Sequence, residues 1–162
     1  MRKILFILLS VLPLYLVFNF LFLDRVAFLS PIEYPGDIVV RCDSRGNGFF
    51  GAGRNGKRTH QGIDLYAATG KPVRASRSGR VVAAKRNPGM GNYVVIRHSD
   101  SMVTIYGHLL RLHVRKGQFV RQGQLIGEVG KTGNANYHAI MPHLHFEVRV
   151  SGKPQDPLQY LE

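Results

Sequence analysis

Beyond its first forty residues this chain never sustains a capped helical period over ten or more residues. Short segments rich in β-branched residues succeed one another instead, separated by glycine and other turn residues. Residues 71–75, 79–84, 92–98, 102–106, 118–120, 124–129 and 143–150 read as strands. That pattern restricts the fold to an all-β one: a compact antiparallel sheet or sandwich-like domain, long enough for one hydrophobic core without disulfides. There are no internal repeats and no low-complexity tracts.

The N-terminus is of another kind. Residues 4–23 are an uncharged run of twenty, apolar except for Ser10, Asn19 and the amphipathic Tyr15. As a helix it would reach about 30 Å, the thickness of a bilayer core. It is too long for a signal-peptide apolar region, and Phe18-Asn19-Phe20-Leu21-Phe22-Leu23-Asp24 holds no small-residue cleavage site. Arg2 and Lys3 precede it and place the N-terminus in the cytoplasm. Pro13 is tolerated in a spanning helix. The reading is an uncleaved signal-anchor over 1–25, a transmembrane helix that leaves the rest of the chain outside the cytoplasm. A signal peptide cleaved further on is the alternative, and it exports the domain equally. Residues 26–40, with Pro31, Pro35 and Gly36, read as a linker. Residues 41–162 form the domain.

The formal charge is +12. Outside the cytoplasm such a surface is drawn to anionic envelope polymers or lipid headgroups, or serves only solubility. Export argues against nucleic acid as partner. Cys42 is the only cysteine, so neither an intrachain disulfide nor a cysteine-type zinc site is available.

The glycine-rich stretch 45–59 tests two phosphate-binding patterns and fits neither. Gly46-Asn47-Gly48-Phe49-Phe50-Gly51 has dinucleotide spacing, and residues 51–58 approach a P-loop with Arg58 where serine or threonine is needed. Both patterns require a helix to begin at the loop. The next residues are His60-Gln61-Gly62-Ile63-Asp64, which favour extended chain. A mobile loop at the rim of a site is the better reading.

Three stretches carry metal and acid–base chemistry. His60 and Asp64 share one face of an extended strand. His143 and His145 alternate with Leu144, so both imidazoles leave one face while Leu144 and Phe146 anchor the other in the core. His108 ends the segment Thr104-Ile105-Tyr106-Gly107-His108. Two imidazoles and a carboxylate hold a catalytic zinc ion with one position open to water, and two histidines remain for proton transfer. Residue chemistry alone does not say which of His143 and His145 is the ligand.

The ordered set H-x-G-x-D, Y-G-H-L and H-L-H-F-E resembles the lysostaphin-type, or LytM-like, zinc metallopeptidases of bacterial cell walls. The framework Thr69-Gly70-Lys71-Pro72-Val73, Gly91-Asn92-Tyr93-Val94-Val95-Ile96 and Gly117-Gln118-Phe119-Val120 is similar to that family as well. The resemblance runs from about Arg41 to the C-terminus and omits the anchor. It implies zinc held by His60, Asp64 and His145, with His108 and His143 as the catalytic pair. It also implies hydrolysis of peptide bonds in peptidoglycan cross-links. Together with the N-terminal signal-anchor read above, the expectation is an enzyme held in the cell inner membrane with its domain on the periplasmic or extracellular side. The peptide stems of peptidoglycan are then the partner.

Two departures stand out. Residues 134–141 lengthen the connection between Thr132-Gly133 and Pro142-His143, and bring His138 as an accessory site residue. No tyrosine lies between Arg41 and Thr59, where some members place one for the oxyanion, so Arg54 or Arg58 is the expected cationic substitute. His98 and His113 have no motif role and are expected to cap strand ends or face solvent. Two other functions compete. One is a non-catalytic module of the same fold that binds the wall or activates a cell-wall amidase. The other is a basic polymer-binding anchor protein, which needs no histidines. The complete set of five site residues favours catalysis.

Overall fold

A computed structural model of the chain describes Asp24, residues 27–54, Gly56, and residues 58–98 and 101–161. The apolar run at 4–23 lies outside the described residues. Among those described, no helix is long and apolar enough to cross a membrane.

Parts of the stretch 26–40, expected as a linker, pack onto the domain, while Glu33, Pro35, Gly36, Asp37 and Val39 are exposed. Ile32 is fully buried, and Phe28, Tyr34 and Ile38 pack against the core. Leu29 N–H donates to Ser76 O at 3.0 Å, Arg74 N–H donates to Pro31 O at 2.9 Å, and Val40 bridges to Leu65. The prolines and Gly36 do bend the chain. The apolar residues between them gain more from burial than a solvated linker would allow.

The glycine-rich stretch, expected as a mobile loop at the rim of a site, carries short β-ribbons, the first of which begins just before it. β1 (Cys42–Asp43) pairs with β2 (Gly46–Asn47), and β3 (Gly53–Arg54) pairs with β4 (Arg58–Thr59). β5 (Ile63–Tyr66) and β6 (Pro72–Arg74) come next, then β7 (Gly79–Asn87), β8 (Gly91–Arg97) and β9 (Met102–Leu109). β10 (Arg111–Leu112), β11 (Phe119–Val120) and β12 (Leu125–Glu128) lead to β13 (His143–Val150) and β14 (Lys153–Gln155). Each expected strand is present. β7 and β9 run further than expected; in β9, Gly107 stays in the ladder opposite His145 instead of ending it.

Among the described residues, seven strands make one antiparallel sheet in the order β11-β7-β8-β9-β13-β14, with β5 also on β13. A second sheet, β10-β12-β6, contributes Val73 and Ile126 to the same core. Alternation decides the faces. Val81, Val94, Ile96, Tyr106, Leu144 and Phe146 are 0–1 % exposed and fill the core. Burying each large apolar side chain stabilises by roughly 1.5–3 kcal/mol. The opposite face of β13 carries His143, His145 and Glu147, which are also buried. That second buried face is where the polar chemistry gathers.

Candidate active site

Strand register brings together residues that are some eighty positions apart. β5 and β13 pair antiparallel with Asp64 directly opposite His145 and Ile63 opposite Phe146. Asp64 and His145 therefore point to the same side, while Ile63 and Phe146 point into the core. His60 stands at the same parity as Asp64, just before β5. Gly62 makes this approach feasible, because a Cβ there would collide with the Phe146 carbonyl and come 2.8 Å from Glu147 Cγ.

Three ligand atoms converge. His60 Nε2 lies 3.0 Å from His145 Nδ1 and 3.1 Å from Asp64 Oδ1, and His145 Nδ1 lies 2.9 Å from Asp64 Oδ1. Metal–ligand distances of about 2.0–2.1 Å in a tetrahedron set ligand atoms roughly 3.3 Å apart, so the cluster fits zinc. The protons agree with this. His60 Nδ1–H donates to Phe49 O at 2.9 Å, and His145 Nε2–H donates to Glu147 Oε1 at 2.9 Å. Each ring thus turns a lone pair toward Asp64 Oδ1. Three lone pairs about 3 Å apart repel unless a proton or metal ion sits among them. Where a proton sits among them in place of a metal, burial would lower the His145 pKa, yet the protonated ring's bonds to Asp64 and Glu147 push it up to about 9. Burial would raise that of Asp64, but in that protonated state the facing His145 and His60 hold it far below the carboxylate range. The cluster attracts a cation.

A further layer fixes these ligands, as metal sites require. Asp64 Oδ2 accepts from Arg41 Nη2 at 3.0 Å and from Arg54 Nη2 at 2.8 Å, leaving Oδ1 for the ion. Arg41 Nη1 lies 2.6 Å from Asp43 Oδ2. Arg149 Nε donates to Glu147 Oε2 at 2.7 Å, and Arg149 Nη2 donates to Gln61 Oε1 at 2.8 Å. Sequence reasoning assigned no role to Arg41, Asp43, Glu147 or Arg149. Period-two spacing on β13 was a signal for the last two, since His143, His145, Glu147 and Arg149 share one face. Arg41 and Asp43 lie far from the motifs and carried none.

His108 and His143 flank the cluster. Their ring centroids are 5.0 Å apart, and His108 is 5.7 Å from the ring of His145. His108 Nδ1–H donates to Thr132 O at 2.9 Å and His143 Nδ1–H donates to Met141 O at 2.7 Å. Both rings therefore keep Nε2 as the lone-pair nitrogen, and that of His143 lies 3.8 Å from Asp64 Oδ1. Burial, then the neighbouring His143 and His145, push the His108 pKa down to about 3. Burial also lowers that of His143, against the pull of Asp64. His108 has φ of 60°, a left-handed conformation rare for a residue with a Cβ, and such strain concentrates at functional sites.

These residues lie in an open cleft of about 1230 Å³. Arg54 and Arg58 line it, but Arg54 is bonded to Asp64. His138 is exposed and does not line the cleft, so the structure does not bring it to the cluster; Tyr137 lines the cleft from the same segment. His145, not His143, completes the three-atom cluster. His98 does not face solvent. It is buried, with Nδ1–H donating to Ser78 O and Nε2 beside Thr104 Oγ1. His113 lies 2.9 Å from Glu128 Oε1 at the surface.

Residues 58–157 match the model described as Peptidase family M23. The lipoprotein NlpD/LppB homolog of Pseudomonas aeruginosa is 47% identical over 103 residues, covering 63% of this chain and 33% of that protein. The DD-carboxypeptidase/endopeptidase Mpg of Neisseria meningitidis is 44% identical over 101 residues, covering 62% and 22%. A solved zinc-containing peptidase from Vibrio cholerae superposes with a TM-score of 0.63 at 36% identity, over 80% of this chain and 39% of that one. The chain thus spans a third or less of the length of these two curated relatives. With the family model matching more than half of its residues, the chain belongs to peptidase family M23.

Proposed function

We propose that this protein is a zinc metallo-endopeptidase that hydrolyses peptide bonds of peptidoglycan cross-links. The observation that carries this reading is the convergence of His60 Nε2, Asp64 Oδ1 and His145 Nδ1 within 3.1 Å of one another, flanked by the imidazoles of His108 and His143. His60, Asp64 and His145 would hold the metal. Zinc supplies Lewis acidity there, making a water acidic near neutral pH and polarising the scissile carbonyl. One of His108 and His143 takes the proton of the attacking water at Nε2 and passes it to the leaving amine nitrogen, and the other steadies the tetrahedral oxyanion when its own Nε2 carries a proton. The carbonyls of Thr132 and Met141 hold the two rings in the tautomer that proton transfer needs.

The apolar run at 4–23 supports the proposal that the enzyme is a single-pass protein of the cytoplasmic membrane with its cleft on the outer side. Such tethering confines cleavage to wall near the membrane. The test is to incubate the full chain with purified peptidoglycan, with zinc or with a chelator, and to read the products by mass spectrometry. Zinc-dependent release of cleaved cross-link peptides is expected. Intact cross-links from folded, zinc-loaded protein, together with stimulation of a cell-wall amidase, would replace this reading with that of a non-catalytic activator.

A further inference from the structure

The cleft holds more positive charge than its own carboxylates neutralise. Its lining carboxylates, Asp64 and Glu147, are buried and already bonded to Arg41, Arg54 and Arg149. Two lining arginines, Arg45 and Arg58, are exposed and have no carboxylate partner among the described residues.

Their placement is specific. Arg58 lies directly opposite Arg54 across the β3–β4 ribbon. Like charges facing each other on a two-stranded ribbon destabilise it unless a counter-charge is supplied. Asp64 Oδ2 supplies one for Arg54, at 2.8 Å, and nothing among the described residues supplies one for Arg58. Arg45, beside the neighbouring ribbon, has its Cζ 5.8 Å from the ring centroid of Tyr137, which is 60% exposed on the 134–141 segment. That stacking steadies the guanidinium while leaving its N–H edge open.

We propose that Arg58, assisted by Arg45, is a specificity-determining subsite for a free carboxylate on the substrate peptide bound in the cleft. A planar guanidinium pairs two N–H groups with the two oxygens of a carboxylate, a match an amide cannot reproduce. This rests on the peptidase reading and deepens it, assigning Arg58 to substrate selection instead of to the oxyanion.

The experiment compares two synthetic cross-linked stem peptides on the zinc-loaded full chain. One carries free carboxylates beside the cross-link, and the other carries primary amides at those positions. The acid form is expected to show a KM at least about tenfold lower, with the difference shrinking as salt is raised. Arg58→Gln is expected to bring the two KM values together, and Arg45→Gln to narrow the gap. Equal KM values for the two peptides in the unaltered protein would overturn the proposal. So would an Arg58→Gln variant whose kcat falls equally on both, the signature of an oxyanion role. If neither peptide is cut, the peptidase reading fails separately, and calorimetric binding still decides: tighter binding of the acid form that disappears in Arg58→Gln supports the subsite, and equal binding refutes it.

Discussion

Glu147 accepts from His145 Nε2–H at 2.9 Å, on the opposite side of the ring from Asp64. The two residues are neighbours on the same face of β13, so one strand supplies both a metal ligand and the carboxylate that orients it. Glu147 is 2% exposed, and Arg149 holds its other oxygen at 2.7 Å. Glu147→Gln keeps the shape but removes the charge and leaves Arg149 without its counter-ion. Zinc affinity is expected to fall about 10–100-fold, measured by competition with a chromophoric chelator. An unchanged affinity would refute the orienting role.

Arg41 is 3% exposed and lies between Asp43 and Asp64. Arg41→Met leaves half-buried Asp43 without its arginine and buried Asp64 with Arg54 alone. The loss is expected at about 2–3 kcal/mol, below the roughly 3–5 kcal/mol of a wholly uncompensated buried charge, read as the change in urea unfolding free energy of the metal-free protein. A loss below about 1 kcal/mol would show Arg41 to be peripheral to the fold.

Gly62 faces the backbone of Phe146, which cannot move without disturbing the β5–β13 ladder. Gly62→Ala is expected to destabilise by about 1–3 kcal/mol and to weaken zinc binding as well, since the added Cβ forces apart the strands bearing Asp64 and His145. Stability lost with full zinc affinity retained would mean that the strands separate elsewhere.

Burial lowers the pKa of His98, although the Ser78 carbonyl pulls the other way; the charge of Arg77 adds to the lowering. A folded-state pKa below the unfolded value of about 6.5 means that the unfolded chain binds the proton more readily. This group therefore costs no stability above the unfolded pKa and destabilises progressively as pH falls below it, until the folded pKa is reached. His98→Gln removes that part of the dependence. Between pH 7 and pH 5, unfolding free energy is expected to fall less steeply in the variant than in the unaltered protein. Parallel curves would refute the assignment.

Much of the fold was legible because its signals are local. Alternation in Leu144, Phe146 and Val148 against His143, His145 and Glu147 marks a strand with two distinct faces, and glycine marks its neighbours' turns. The packing of part of 26–40 against the domain has a non-local cause. Pro31 and Gly36 are visible as turn residues, but nothing nearby in sequence shows that Ile32 meets a core built from β5, β7 and β13. Residues 45–59 lie at the site as expected, with Arg45, Arg54 and Arg58 lining the cleft, but their pairing was not legible: Gly48 N–H donates to Arg41 O at 2.7 Å and Gly48 O accepts from Asp64 N–H at 2.8 Å, partners seven and sixteen residues away.

The sequence by itself determined the β class, the face on which each histidine of β13 lies, and the set of residues able to hold a metal. These come from period-two geometry and side-chain chemistry, which need no partner strand. Residue chemistry left His143 and His145 equivalent; the family resemblance implied His145, and the tertiary structure places it in the ligand cluster. Only that structure showed that Arg54 is held by Asp64, that His138 stays outside the cleft, and that Arg41 and Glu147 support the ligands. The meeting of Asp64 with His145 and Glu147 depends on the register in which β5 and β13, far apart in the chain, are hydrogen-bonded, and a shift of one residue would turn the ligands of one strand to the other face; the rest depends on loops and ribbons folding back onto that pair.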